Sequence, residues 1–198
     1  MTHHQTLSPA DYRRMPWKNG AGRTTEIASH PPRASLDAFD WRISIADVAR
    51  DGPFSHFAGI DRTIVVIAGA GMRLQGDGHA VLLGAPYEPY AFSGDDTIDC
   101  TLLDGAVRDF NLMVRRNRGR GGITVVRGEA VRFPPADFHL CYAVAGSYEC
   151  LLAGHLPLVV ATDHALLVED GRASSAALIV SPLTADAIGL VAAIDLGA

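Results

Sequence analysis

The sequence has little sulfur chemistry to offer. Its three cysteines, Cys100, Cys141 and Cys150, are odd in number and show no CxxC spacing. They give no disulfide framework and read as buried or incidental thiols of a reducing cytoplasm, with a catalytic thiol as the functional alternative. No apolar run approaches the ~18–20 residues of a membrane span. The opening "MTHHQTLSPADYRRM" has no apolar core of a secretory signal. A cytoplasmic protein with no membrane partner is the expectation. An excess of basic residues is also missing. Net charge is −5, which argues against a broad nucleic-acid face. No long amphipathic helix is visible, so a parallel α/β sheet is not expected.

What is present suits a soluble globule. The 198 residues are 48% hydrophobic and 20% charged, outside the composition of disordered chains. A globule of this size buries roughly 70% of the surface its unfolded chain exposes and needs no staples. The chain reads as mostly strand. "FDWRISIAD" (39–47) puts Trp41, Ile43 and Ile45 on one face and Arg42, Ser44 and Ala46 on the other. "RTIVVIAG" is a β-branched run ending at Gly69. "HAVLLG", "TIDCTLLDG", "DFNLMVRR", "GITVVRGEAVRF", "HALLVED" and "AALIVS" follow, separated by turn residues. Many short strands with close turn signals indicate an all-β sandwich or barrel. "SPADYRRM" (8–15) predicts a short helix capped by Ser8 with Pro9 in its first turn. "PPADFH" (134–139) predicts one further helical turn.

An internal repeat shows faintly. "GDGHAVLLG" (76–84) resembles "ATDHALLVE" (161–169), with His79 and His164 lying 85 residues apart. "LLDGA" (102–106) echoes "IDLGA" (194–198), with Asp104 and Asp195 lying 91 apart. Two echoes in one order suggest two copies of one β unit. Between them "RRNRGRGG" (115–122) reads as a solvated connector.

Three segments carry polar residues into apolar surroundings. In "PWKNGAGRTTEI" (16–27) the glycines lack the third glycine of GxGxxG and the strand–helix context of a dinucleotide site, and GxxxxGK is absent. Asn19-Gly20 reads equally as a hairpin turn. That leaves Trp17, Lys18 and Glu26 unexplained. "DFNLMVRR" (109–116) places Asp109, Asn111, Met113 and Arg115 on one strand face and Phe110, Leu112 and Val114 on the other. Such a face is either solvated or lines a polar cavity. In a barrel, Arg42 and Ser44 share that surface with Asp109 and Asn111. An arginine in a partly dry cavity needs a carboxylate, from the protein or from a ligand.

"PWKNGAGRTTEI", "WRISIADVARDGPFSHFAGIDRTIVVIAG", "YAFSGD" and "DFNLMVRR", in this order and spacing, resemble the HutD/Ves family. The likeness is strong over residues 12–116 and rests on β character and "HALLVEDG" beyond them. It implies an RmlC-like bicupin: two fused jelly-roll β-barrels, here an N-terminal region plus first barrel at 1–114, a connector at 115–122 and a degenerate second barrel at 123–198. It also implies a role in bacterial histidine utilisation as a small-molecule binder without settled catalytic activity. The Ves branch is linked to environmental stress.

Metal-binding cupins carry H-x-H, then Glu, then Gly in their first motif, and another His in the second. Counting back from Gly69, Arg62 stands at the Glu position and Tyr90 at the second-motif His position, with only His56 nearby. No metal and no cofactor are therefore expected. His139, His155 and His164 are scattered and read as core or surface residues. An electropositive lumen with Arg62 and Arg42 favours a small carboxylate of the histidine-degradation pathway. Trp17, Asn19, Glu26, Arg42, Ser44, Phe57, Arg62, Tyr90 and Asn111 are the candidate ligand residues. Asn19 and Asn111 would bond an amide-like or imidazole-like end, and Trp17 or Phe57 would form an apolar wall. The alternative is that Asp61, Arg62 and Asp109 form ion pairs that organise the barrel mouth. A metal-independent enzyme acting on a formyl- or formimino-amino acid would use Glu26, His56 and Tyr90 as acid/base groups. A homodimer, a regulatory protein partner and the choice between the HutD and Ves branches stay open at this point.

Overall fold

The alternating runs become strands, which the computed structural model describes for residues 3–17, 22–76, 79–84, 86–169, 171 and 177–197. Among the described residues the regular elements are β1 (His3–Leu7), β2 (Arg13–Pro16), β3 (Gly22–His30), β4 (Trp41–Val48), β5 (Gly52–Pro53), β6 (Ile60–Ala68), β7 (Met72–Gly76), β8 (His79–Leu83), β9 (Pro89–Ser93) and β10 (Asp99–Leu102). They continue with β11 (Val107–Arg115), β12 (Gly119–Val126), β13 (Val131–Phe133), β14 (Phe138–Ala145), β15 (Ser147–Leu152), β16 (Leu158–Ala161), β17 (Ala165–Glu169), β18 (Leu178–Pro182) and β19 (Ile188–Leu196). The protein is all-β.

The chain forms two compact units. The first, Tyr12–Arg120, has a six-stranded sheet ordered β2-β3-β4-β11-β6-β9 and a four-stranded sheet ordered β5-β10-β7-β8. The second, Met1–Asp11 with Gly121–Ala198, has a five-stranded sheet ordered β1-β17-β14-β19-β12 and a four-stranded sheet ordered β13-β18-β15-β16. The duplication is visible in the strand numbers. β4-β11-β6-β9 and β5-β10-β7-β8 become β12-β19-β14-β17 and β13-β18-β15-β16, each number raised by eight. The β6–β11 and β14–β19 ladders each carry a register shift near the same end.

In the first unit the buried cluster draws Ala46 and Val48 from β4, Ile64 and Val66 from β6 and Val107 from β11. It also draws Met72 and Leu74 from β7, Leu83 from β8 and Cys100 from β10. The two sheets therefore share one interior, and each fully buried aliphatic side chain in it contributes ~1.5–3 kcal/mol. All three cysteines are free and buried.

Five expectations change. Residues 8–15 form no helix. Ser8 spends its hydroxyl and its N–H on the Asp11 carboxylate, at 2.7 and 2.8 Å, closing a local turn that competes with helix. Arg13–Pro16 then pairs with Arg23–Glu26. Residues 134–139 hold no helical turn either, because Phe138 already starts β14. β1, in the segment expected to belong with the first barrel, pairs with β17 in the second unit. Within the expected connector, Gly119 begins β12. The echoing segments are also not structural counterparts: His79 opens β8 while His164 precedes β17, and the counterpart of β17 is β9.

Candidate functional site

Register assembles a polar surface on one face of the six-stranded sheet. Glu26 lies opposite Ser44, Ser44 opposite Asn111, Asn111 opposite Ile64 and Ile64 opposite Tyr90. The adjacent row runs Ser29, Arg42, Met113, Arg62 and Phe92. On the other side of the first row stand Thr24, Ala46, Asp109 and Val66. Positions two apart on a strand share a face. Ala46, Ile64 and Val66 belong to the apolar cluster, so all three rows look into the unit's interior. Asp109, Asn111 and Met113 are buried, so their strand face is an interior one rather than a solvated surface.

The charges on this face are treated unequally. Arg42 and Glu26 are both buried and form an ion pair, Arg42 Nε donating to Glu26 Oε2 at 2.6 Å. Arg42 Nη1 also approaches Ser44 Oγ at 3.5 Å and Met113 Sδ at 3.9 Å. Arg62 is 7% exposed and has no such carboxylate among the described residues. Its guanidinium carbon lies 4.8 Å from the centroid of Phe92, 5.2 Å from that of Phe54 and 5.6 Å from that of Phe57, an aromatic box around a cation. Its Nη1 donates to the Ser55 carbonyl at 3.4 Å, and its Nε has no hydrogen-bond partner among the described residues. Asp61, its sequence neighbour and expected partner, instead takes Arg116 at 2.8 Å.

Two acceptors are stranded as well. Asp109 Oδ2 and Asn111 Oδ1 are buried without a partner among the described residues. Burial pushes the Asp109 carboxyl up to about 7, against the lowering influence of Arg62. Burial pulls Arg62 down to about 10, with Asp109 opposing. The two groups act on each other through space without forming a contact ion pair. Buried groups left unmatched in this way cost stability.

The loop carrying Phe54, Ser55 and Phe57 is pinned by the "SGD" of "YAFSGD". Phe57 N–H donates to the Gly94 carbonyl at 2.8 Å, and Gly94 N–H to the Ile60 carbonyl at 2.7 Å. A Cβ on Gly94 would stand 2.5 Å from the Phe57 carbonyl oxygen, so only glycine permits the approach. Gly59 N–H donates to Asp95 Oδ1 at 2.9 Å. This bond and those from Arg116 and Ser93 hold the Asp95 carboxyl below its ordinary range.

Of the candidate residues, the structure gathers Glu26, Arg42, Ser44, Arg62, Tyr90 and Asn111 on this face, with Phe57 against Arg62. Trp17 packs on the apolar cluster and donates from Nε1 to Thr24 Oγ1 at 2.8 Å. Asn19 lies outside the described residues. Glu26, His56 and Tyr90 do not converge: Glu26 is engaged by Arg42, His56 is exposed, and Glu26 and Tyr90 stand four strands apart in one row. Phe54, Phe92 and Asp109 are lining residues that the sequence reading left off its ligand set. The alternation in "YAF", which sets Tyr90 and Phe92 on one face, was the available signal for Phe92. Among the described residues no three or more His, Cys, Asp or Glu side chains group as metal ligands. No helix among them is long and apolar enough to cross a membrane.

Comparisons with known proteins agree on the family. The HutD family profile matches residues 9–181. An uncharacterised 21.2 kDa protein from the hutC 3′ region of Pseudomonas putida is 42% identical over 154 residues, covering 78% of this chain and 80% of that protein. Protein Ves of Citrobacter koseri is 40% identical over 119 residues, which cover 58% of this chain and 61% of Ves. The solved structure of HutD from Pseudomonas fluorescens SBW25 superimposes with a TM-score of 0.82 at 34% identity, covering 99% of this chain and 100% of that one. At 9% identity, oxalate decarboxylase of Bacillus subtilis, with a TM-score of 0.66, shares the fold, which is that of the cupins. The chain belongs to the HutD family.

Proposed function

We propose that the interior face of the first unit binds a small carboxylate, and that the protein is a non-catalytic binding module that modulates histidine catabolism. The observation that carries this reading is Arg62. It is a buried cation boxed by three aromatic rings, with Nε unpartnered and no carboxylate at ion-pairing distance among the described residues. A bidentate carboxylate is the group that satisfies a guanidinium most completely. The family connection supports the pathway, since one relative is described from the hutC region and another as HutD. The non-catalytic assignment is supported by the engagement of Glu26 in an ion pair and the exposure of His56.

The test is a thermal-shift screen with histidine, urocanate, imidazolone propionate, formiminoglutamate and formylglutamate. At 100 times Kd a ligand adds ~2.7 kcal/mol, worth roughly 5–10 °C for a chain of this length. The expected result is a shift with at least one acid, which is then recovered unchanged by product analysis. Turnover of that acid would replace the binding module with an enzyme. Absence of a shift with every acid would remove the carboxylate reading.

A further inference from the structure

The interior face presents two chemistries, and only one of them is answered by a carboxylate. Arg62 Nε is a buried donor that wants an anion. Asp109 Oδ2 and Asn111 Oδ1 are buried acceptors that want hydrogen-bond donors. Their positions are set by register. Arg62 stands opposite Met113, and Asn111 and Asp109 lie two and four residues further along β11 on the same face. At ~3.3 Å rise per residue, these backbone positions are about 7 and 13 Å from the Arg62 row. Arg62 and Asp109 nevertheless act on each other electrostatically, so both lie within the reach of one small ligand with a short carbon chain between its polar ends. A plain carboxylate at Arg62 would leave both acceptors as unmatched as they are in the free protein, whereas a ligand that also carries a donor gains the hydrogen bonds they lack.

We infer that the ligand of this site is bipolar: a carboxylate that meets Arg62 and, a few carbons away, an N–H-bearing end that donates to Asn111 Oδ1 and the Asp109 carboxylate. The inference rests on the carboxylate reading above and narrows its ligand class to acids with a terminal amide-type or comparable N–H group. A distal ketone, aldehyde or alkyl end offers no donor and would be disfavoured.

This arrangement makes binding sensitive to the proton on Asp109. Its carboxyl is held near 7 by burial, with Arg62 lowering it and Asp47 raising it. The titratable and charged groups around it are Arg62 on β6, Asp47 and Arg42 on β4 and Cys100 on β10, whose thiol burial and Asp109 push up to about 12. With Arg62 at about 10 and the Cys100 thiol at about 12, Asp109 is the one of these three that changes charge near neutrality. An N–H donor prefers the ionised carboxylate, and the repulsion between Asp109 and the ligand's own carboxylate is common to ligands with and without that donor. The preference for the N–H-bearing ligand therefore rises with pH as Asp109 loses its proton.

The experiment uses two matched pairs of acids that do not titrate between pH 6 and 8: succinamate against levulinate, and glutaramate against 5-oxohexanoate. Members of a pair differ only in NH₂ against CH₃. Calorimetric titration of the full chain is expected to favour the amide by about ten- to hundredfold. The preference should fall to threefold or less in Asn111→Leu, and in the wild type the amide-over-ketone preference should rise roughly tenfold from pH 6 to 8. Asp109→Asn should abolish the pH dependence. If that variant fails to fold, the wild-type pH profile of amide against ketone still decides. Equal binding of amide and ketone, or tighter binding of the ketone, overturns the bipolar ligand and leaves the carboxylate reading standing. Failure of all four acids to bind, with the five larger acids also failing, overturns both.

Discussion

The two units build one frame around opposite interiors. Aligned on their shared register shift, β6 and β14 place His139 where Arg62 stands, Cys141 at Ile64 and Ala143 at Val66. On the neighbouring strand, Gly189 replaces Asp109, Val191 replaces Asn111 and Ala193 replaces Met113. Val168 and Leu166 take the places of Phe92 and Tyr90. The second interior is a closed apolar cluster of Val126, Phe133, Cys141, Tyr148, Cys150, Leu166, Val180, Val191 and their neighbours. Where the first unit has the Asp109 side chain, the second has the ring of Tyr148: a Cβ on Gly189 would stand 2.8 Å from it. Tyr148 satisfies its hydroxyl on the Val126 carbonyl at 2.7 Å. His139 is the one polar survivor. It is fully buried, and burial holds its pKa down, so it remains a neutral core residue.

The frame therefore does not require a charged interior. One copy is filled with apolar side chains. The other keeps a buried arginine without a carboxylate and two buried acceptors without a partner among the described residues, at a cost to stability. Stabilising ion pairs do not explain the difference, because among the described residues of this buried face only Arg42–Glu26 is such a pair. Under the proposed function, the remaining groups are those that a ligand would meet.

The largest predicted effect follows from the buried Arg42–Glu26 ion pair. Arg42→Met leaves Glu26 buried and charged, and urea unfolding at pH 7 should show a loss of ~3–5 kcal/mol. Adding Glu26→Gln should restore most of it. If both variants unfold like the wild type, the first interior is wetter than its burial indicates.

Asp109 gives a pH-dependent effect of a few kcal/mol. Its folded pKa of about 7 lies above the ordinary 3.8, so the folded state binds the extra proton between those values. Stability attributable to Asp109 therefore falls as pH rises through that window and is lowest above it. Asp109→Asn should remove this slope. The free protein carrying it should gain stability over the wild type at pH 8 relative to pH 4, measured by chemical denaturation at both. An unchanged slope would show that Asp109 is solvated or paired.

The second unit supplies the smallest effect. Gly189→Ala drives a methyl into the Tyr148 ring, and overpacking of this kind costs about 1–3 kcal/mol. Ligand-induced stabilisation should be untouched, because the change lies in the filled interior. A variant that loses ligand binding would break the division of labour between the units.

Much of this was legible in the sequence. The alternation in "FDWRISIAD" and "DFNLMVRR" placed Arg42, Ser44, Asp109 and Asn111 on one surface, and register bears that out. Register also puts Arg62, Ile64 and Val66 on one face. Period-two patterning is local, so it survives without a structure. Long-range choices did not. Nothing in "HHQTL" says that it pairs with a strand more than 150 residues away. The repeat was real, but sequence echoes such as those around His79 and His164 misaligned it, because the two copies share strand order and not side chains. The helix expected at 8–15 failed on a side-chain turn between Ser8 and Asp11. Phe54 was missed because it reaches Arg62 from a loop, where strand parity has no meaning.

The central claim is that Arg62 serves a ligand rather than the frame, and one variant addresses it directly. Arg62→Met fills the aromatic box with an apolar side chain of similar length. The free variant should melt at or above the wild-type Tm, and the stabilisation that a carboxylate ligand gives the wild type should disappear, a loss of about 2–5 kcal/mol of binding. A variant that melts several degrees early, yet still binds the wild type's ligand with unchanged affinity, would show that Arg62 holds the first unit together and that the carboxylate sits elsewhere.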